Sequence, residues 1–112
     1  MKMVYVAHPY SGKPENKQDC ESILQQLQHD YPGYVFVAGV TSINCDYNTT
    51  PYHVGLALCL ELLSRCEGII MTNGFEDSKG CMAEMAVAKW LGIKVYGSIE
   101  HFNKVANNSE SC

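Results

Sequence analysis

Apolar positions along the chain cluster in short runs separated by longer stretches of helical period. Lys2–Ala7 is rich in β-branched and aromatic residues, which predicts a first strand. A helix is expected from Pro14, which suits a first turn, to about Asp30. Ile23, Leu24 and Leu27 share one of its faces, and Pro32-Gly33 stops it. Tyr34–Val40 reads as a second strand, continuous enough to be buried on both faces. Thr41–Thr50, with Asn44, Asp46 and Asn48, reads as a loop. Pro51 opens a second helix over about Tyr52–Arg65, apolar nearly all round and therefore expected to be covered on a second side, most simply by another subunit. Glu67–Thr72 is the third strand, Lys79–Leu91 the third helix with Gly92 as its stop, and Ile93–Tyr96 the fourth strand. A short helix near Ile99–Val105 follows. The domain is expected to span residues 1–106, with a frayed tail at 107–112.

Strands alternating with crossover helices imply an α/β fold: a doubly wound parallel sheet of about four to five strands with helices on both faces. Ligands of such sheets sit beyond the carboxyl ends of the strands, near the switch in strand order. Four segments collect there: His8–Gly12, Thr41–Asn48, Thr72–Gly80 and Gly97-Ser98.

One residue in this arrangement demands explanation. Glu84 lies within the third helix among Cys81, Met82, Ala83, Met85, Ala86, Val87 and Ala88. A carboxylate there is costly unless paired or used, and position 88, where a Lys would pair with it, is Ala. A carboxylate so placed can act as nucleophile or base; a structural pair with a distant Arg or Lys is the competing explanation. Six residues earlier Ser78 is a good N-cap, and Gly80 lets a ligand approach the first turn. The free amides there form an anion site for a phosphate or carboxylate, compatible with simple capping. The loop His8-Pro9-Tyr10-Ser11-Gly12 can wrap a ligand with backbone amides and an aromatic ring, although a His in such a loop is more often structural. It is not a GxGxxG loop. Tyr5 and Tyr10 read chiefly as packing residues. Asp46 lies in the second loop, and Phe75 either stacks on a base or closes its own loop.

Composition narrows the class. The 112 residues, 46% hydrophobic and 18% charged, suit one globular domain. A net charge of −4 with scattered basic residues leaves no footprint for nucleic-acid polymer or acidic membrane. No apolar run approaches spanning length and the start moves straight into a strand, so a cytoplasmic protein is expected. Six cysteines without a CxxC pair read as reduced, mostly buried thiols, and their spacing disfavours a metal. No cofactor is expected.

Taken together, Val4-Tyr5-Val6-Ala7-His8-Pro9-Tyr10-Ser11-Gly12, Leu62–Ile70 and Ser78-Lys79-Gly80-Cys81-Met82-Ala83-Glu84 resemble the nucleoside 2-deoxyribosyltransferase-like superfamily, in particular its short bacterial and phage branch. The last segment is similar to that superfamily's Ser-x-Gly-x-x-x-Glu pattern, and the resemblance covers about residues 2–97. It implies a flavodoxin-like sheet, a homodimer or higher homo-oligomer, and cleavage of the N-glycosidic bond of a small-molecule deoxynucleoside or nucleoside 5′-monophosphate. Carried across, Glu84 is the nucleophile, Ser78 and Gly80 hold the 5′-phosphate or hydroxyl, and His8–Gly12 line the base or sugar. In one departure, Cys59 stands where catalytic members carry an Asp, eight residues before Glu67; Asp46 and Glu61 are the available substitutes. That departure keeps open a non-catalytic binding protein with the same pocket. A further relative by pattern, the lysine-decarboxylase-like nucleotide hydrolases, has a Pro-Gly-Gly loop absent from this chain.

Overall fold

The computed structural model describes residues 1–110 of the chain. Its centre is a four-stranded, fully parallel sheet of β1 (Lys2–Ala7), β2 (Tyr34–Val37), β3 (Gly68–Met71) and β4 (Lys94–Tyr96), in the order β2-β1-β3-β4. Register pairs Lys2 with Tyr34, Val4 with Gly68 and Ile69 with Val95. The connections are α1 (Pro14–Asp30), α2 (Gly39–Ser42), α3 (Tyr52–Leu63) and α4 (Lys79–Trp90), and α5 (Ile99–Glu110) closes the fold.

The twofold alternation of strand side chains divides the core in two. Val4 and Val6 of β1 and Ile70 of β3 pack with Cys20 and Leu27 of α1 and with Phe102 and Ala106 of α5. Tyr31, Tyr34, Phe36, Tyr96 and Phe102 add edge-to-face ring contacts there, and Tyr31 Oη donates to Asn103 Oδ1 at 2.8 Å. Tyr5, Ala7, Ile69 and Met71 point the other way, onto Leu63 at the end of α3 and Cys81 and Ala88 of α4. Burying both faces of β1 and β3 is what a doubly wound sheet requires.

Several boundaries differ from the sequence-based expectation for local reasons. The second strand ends at Val37, because the chain turns into α2 at Gly39, so the expected loop from Thr41 begins inside a helical turn. β2 is also an edge strand: only Phe36 is buried, and Val35 and Val37 are half-buried. The second helix stops at Leu63 rather than Arg65. α5 continues to Glu110, beyond the expected Val105, so residues 107–110 of the expected frayed tail are helical. Residues 111 and 112 lie outside the described residues.

The chain leaves β1 for β2 on one side and then crosses to β3 on the other. The strand order therefore reverses between β1 and β3, and their carboxyl ends open a crevice.

Candidate functional site

A cavity of about 750 Å³ sits above the crevice. β1 and its loop contribute Tyr5, His8, Tyr10 and Ser11, α2 contributes Gly39, and the start of α4 contributes Ser78, Gly80 and Glu84. From α3, Tyr52, Gly55, Leu56 and Cys59 face the opening with the i, i+3, i+4, i+7 spacing of one helix face.

Glu84 is only 7% exposed, on the α4 face turned toward β1. No cation pairs with it among the described residues; its partner is a phenol. Tyr5 Oη donates to Glu84 Oε2 and accepts the backbone N–H of Gly39 at 3.1 Å. Burial pushes the Glu84 carboxyl from an ordinary 4.5 up to about 7, with the Tyr5 hydrogen bond acting in the opposite direction. Burial, and then the charge of Glu84, holds the Tyr5 phenol far above its usual range. Tyr5 was expected to serve as packing. It does pack, but alternation along β1 also aims its hydroxyl at the α4 face, where a buried phenol needs a partner.

Cys59 closes the same cluster. A Cβ on Gly39 would overlap Cys59 Sγ and Tyr5 Oη, so only glycine lets the α2 backbone approach this closely. Burial and then Glu84 push the Cys59 thiol up to about 11. It stands beside the carboxylate as a neutral group.

His8 follows β1, and each of its ring nitrogens faces an oxygen. Nδ1 lies 2.8 Å from Thr72 Oγ1, and the Thr72 hydroxyl gives its only proton to the Ala7 carbonyl at 3.0 Å. Thr72 therefore accepts from Nδ1–H, an assignment made from the network. Nε2 lies 3.2 Å from Asp19 Oδ2 on α1. Burial lowers the His8 pKa, and Asp19 opposes that with a smaller effect. His8 thus links β1 to β3 at the switch point, and pairs with Asp19 of α1 only when its ring is protonated, while the ring lines the cavity.

The other expected site residues divide. Tyr10, Ser11, Ser78 and Gly80 line the cavity, and Ser78 Oγ accepts from Cys81 N at 3.2 Å as the cap of α4. A Cβ at Gly80 would meet nothing nearer than 3.9 Å, so the first turn of α4 is open to a ligand. Pro9, Gly12, Asp46 and Phe75 are not part of the lining. Gly12, at φ +70°, carries the loop past the Tyr47 ring, and Tyr47 stacks edge-on against Tyr10 at 5.3 Å. Asp46 is exposed and organises its own turn, accepting Asn48 N–H at 2.9 Å. Phe75 packs under the loop against the Tyr5 side of the core. Glu61, the other suggested substitute for the absent Asp, pairs with Arg65 at 2.7 Å on the exposed side of α3. The cavity carboxylate that sequence reasoning passed over is Asp77, in the 3-10 turn Phe75–Asp77 just before Ser78.

Among the described residues no group of three or more His, Cys, Asp or Glu side chains could hold a metal ion, and no helix is long and apolar enough to cross a membrane. The fold is that of the nucleoside 2-deoxyribosyltransferase-like proteins. The 2-deoxyribosyltransferase from Leishmania mexicana superposes with a TM-score of 0.64 at 19% identity, over 85% of this chain and 62% of that one. A 2-deoxyribosyltransferase from the psychrotolerant bacterium Bacillus psychrosaccharolyticus gives 0.61 at 15% identity, over 83% and 69%. The chain therefore spans about 62% of the length of the Leishmania protein. Over residues 2–97 the sequence matches, and the chain belongs to, the family described as "Domain of unknown function (DUF4406)". No curated protein matches it.

Proposed function

We propose that the protein cleaves the N-glycosidic bond of a deoxynucleoside or nucleoside 5′-monophosphate, by hydrolysis or by transfer to a second base. The observation that carries this reading is Glu84: a carboxylate buried at a cavity wall, held by Tyr5 through one oxygen and unpaired with any cation among the described residues. With the proton lost, Glu84 attacks the anomeric carbon and the base departs. The glycosyl ester that results is opened by water or by an incoming base, a retaining double displacement. A pKa of about 7 leaves roughly half of the carboxyl ionised at neutral pH and makes that anion a stronger nucleophile than an ordinary carboxylate. The open first turn of α4, with Ser78 and Gly80, receives the 5′-phosphate or hydroxyl. Tyr10 and the loop after β1 border the sugar and base. Asp77 is the other carboxylate that lines the cavity.

Cys59 supports a second reading, a nucleotide-binding protein without turnover. Its neutral thiol stands where catalytic members of the resembled superfamily carry an Asp. Chromatography after incubation with ribo- and deoxynucleosides and their 5′-monophosphates separates the two. Free base released by the wild type and not by Glu84→Gln is the expected result. Intact substrates, one of which still raises the melting temperature, would leave only the binding protein.

A further inference from the structure

Two pieces of chain meet at one wall of the cavity, and among the described residues no hydrogen bond or ion pair joins them. One is the turn after β1. Lys13 N–H bonds to Tyr10 O at 3.1 Å, Asn16 Nδ2 donates to the same carbonyl at 2.8 Å, and Ser11 and Gly12 lie at φ +53° and +70°. That turn is closed on itself and pinned to the start of α1. The other piece is residues 43–51, the connection between α2 and α3, of which Ile43, Cys45, Tyr47, Thr50 and Pro51 line the cavity. Among the described residues every hydrogen bond made by residues 44–50 ends on Asp46. Thr49 and Thr50 N–H reach Asp46 O at 3.2 and 2.9 Å, and Asn48 N–H reaches its Oδ1 at 2.9 Å. Tyr47 bridges the two pieces. Its ring stands edge-on to Tyr10, with centroids 5.3 Å apart and planes at 75°. Its Cδ1 and Cε1 fill the space over Gly12, where a Cβ would stand 2.6 and 2.8 Å from them. Glycine is thus required there twice, for its left-handed backbone and for the seat it leaves to the ring. Tyr47 is still 50% exposed, so the contact is limited and reversible.

We propose that residues 43–51 are a hinged strap over the cavity and that Tyr47 is its latch, seated on Gly12 and Tyr10. The hinges are Ile43, extended just after α2 stops, and Pro51, just before α3 starts. When the ring lifts, the strap swings away with its Asp46 turn intact, because that turn borrows no hydrogen bond from the rest of the protein. The mouth of the cavity then widens for a small molecule, and reseating the ring covers it from the β1 side. An aromatic pair of this kind favours the closed form by about three- to tenfold, enough to cover a bound molecule and little enough to release it. The latch follows from the placement of Tyr47 and does not depend on the glycosidic chemistry proposed above.

The test needs no substrate and uses the full chain. Cleavage of the native protein before Asp46 by endoprotease Asp-N reports on the strap, which must leave its seat to enter a protease cleft. Alkylation of Cys59 by a bulky maleimide, followed by mass spectrometry in a Cys45→Ser background, reports on access to the cavity that Cys59 lines. Tyr47→Ala should speed both reactions by about three- to tenfold. Tyr47→Phe keeps the ring and should match the wild type. Cys20 and Cys81, 0% and 2% exposed, should stay unlabelled throughout and show that the fold is intact. Rates that Tyr47→Ala leaves unchanged, a Tyr47→Phe variant as fast as Tyr47→Ala, or Cys20 and Cys81 labelled in step with Cys59 would each overturn the proposal.

Discussion

Replacing Glu84 by Gln should make the protein more stable at pH 8, and by an amount the structure fixes in scale. The carboxyl is displaced from 4.5 to about 7, and each pH unit of displacement corresponds to about 1.4 kcal/mol, which gives about 3 kcal/mol in all. An acid raised in this way keeps its proton in the native state after the unfolded chain has lost it. Stability therefore falls as pH rises from 4.5 to 7, and the full deficit persists above 7. Gln is close in shape, is neutral at every pH, and its side-chain oxygen can still accept from Tyr5 Oη. The gap between variant and wild type should thus be small at pH 4.5 and grow to about 3 kcal/mol at pH 8, roughly 10 °C in melting temperature for a domain of this size. Urea unfolding of both proteins at four or five pH values measures it directly. A gap that is the same at pH 5 and pH 8, or a variant less stable at pH 8, would refute the claim that this charge is held at the expense of stability.

Further outcomes follow from the same cluster. Tyr5→Phe removes the bond that favours the charged carboxyl, worth about 1.5–3 kcal/mol for a charged acceptor, so the Glu84 pKa should climb by about one to two units. Carbon-13 NMR of the labelled carboxyl would show it, and base release, if present, should move its acid limb to the same higher pH. Gly39→Ala drives a methyl into Cys59 Sγ and Tyr5 Oη and should cost about 1–3 kcal/mol in urea unfolding. Ser78→Ala removes the cap of α4 for about 1 kcal/mol of stability, and on the proposed function it should weaken binding of 5′-monophosphates more than of nucleosides by calorimetry.

The frame of the fold was legible because local signals and tertiary demands agree in it. β1 and α1 fall at Lys2–Ala7 and Pro14–Asp30, where β-branched residues, Pro14 and the Pro32-Gly33 stop placed them. β3 is buried throughout, as its unbroken apolar run requires. The misplaced ends sit where only tertiary context decides. Nothing in Val37-Ala38-Gly39-Val40 announces that the chain leaves the sheet. The turn at Gly39 answers a packing need, room for Cys59 and Tyr5, that exists only once α3 is in place. For the same reason Asp46 drew attention by residue type and proved to organise its own turn, whereas Asp77 lines the cavity beside an N-cap that attracted all the notice.

Glu84 was conspicuous for what surrounds it in sequence, whereas Tyr5 carried no such mark, and the contrast explains what a sequence can disclose about a site. A charge inside an apolar helix violates local expectation by itself. A tyrosine in a strand violates nothing, and its role depends on a partner 79 positions away. The pairing has a physical consequence. A Lys or Arg beside Glu84 would hold the carboxylate ionised and make it inert, while a phenol satisfies one oxygen and leaves burial in control of the proton. The result is a group titrating near neutrality whose charged form the folded chain bears at a loss of about 3 kcal/mol. A purely structural residue could be replaced by Gln or Met at no such loss. That the chain keeps Glu at this position, opening onto a cavity of about 750 Å³, is the strongest physical reason to look for chemistry there.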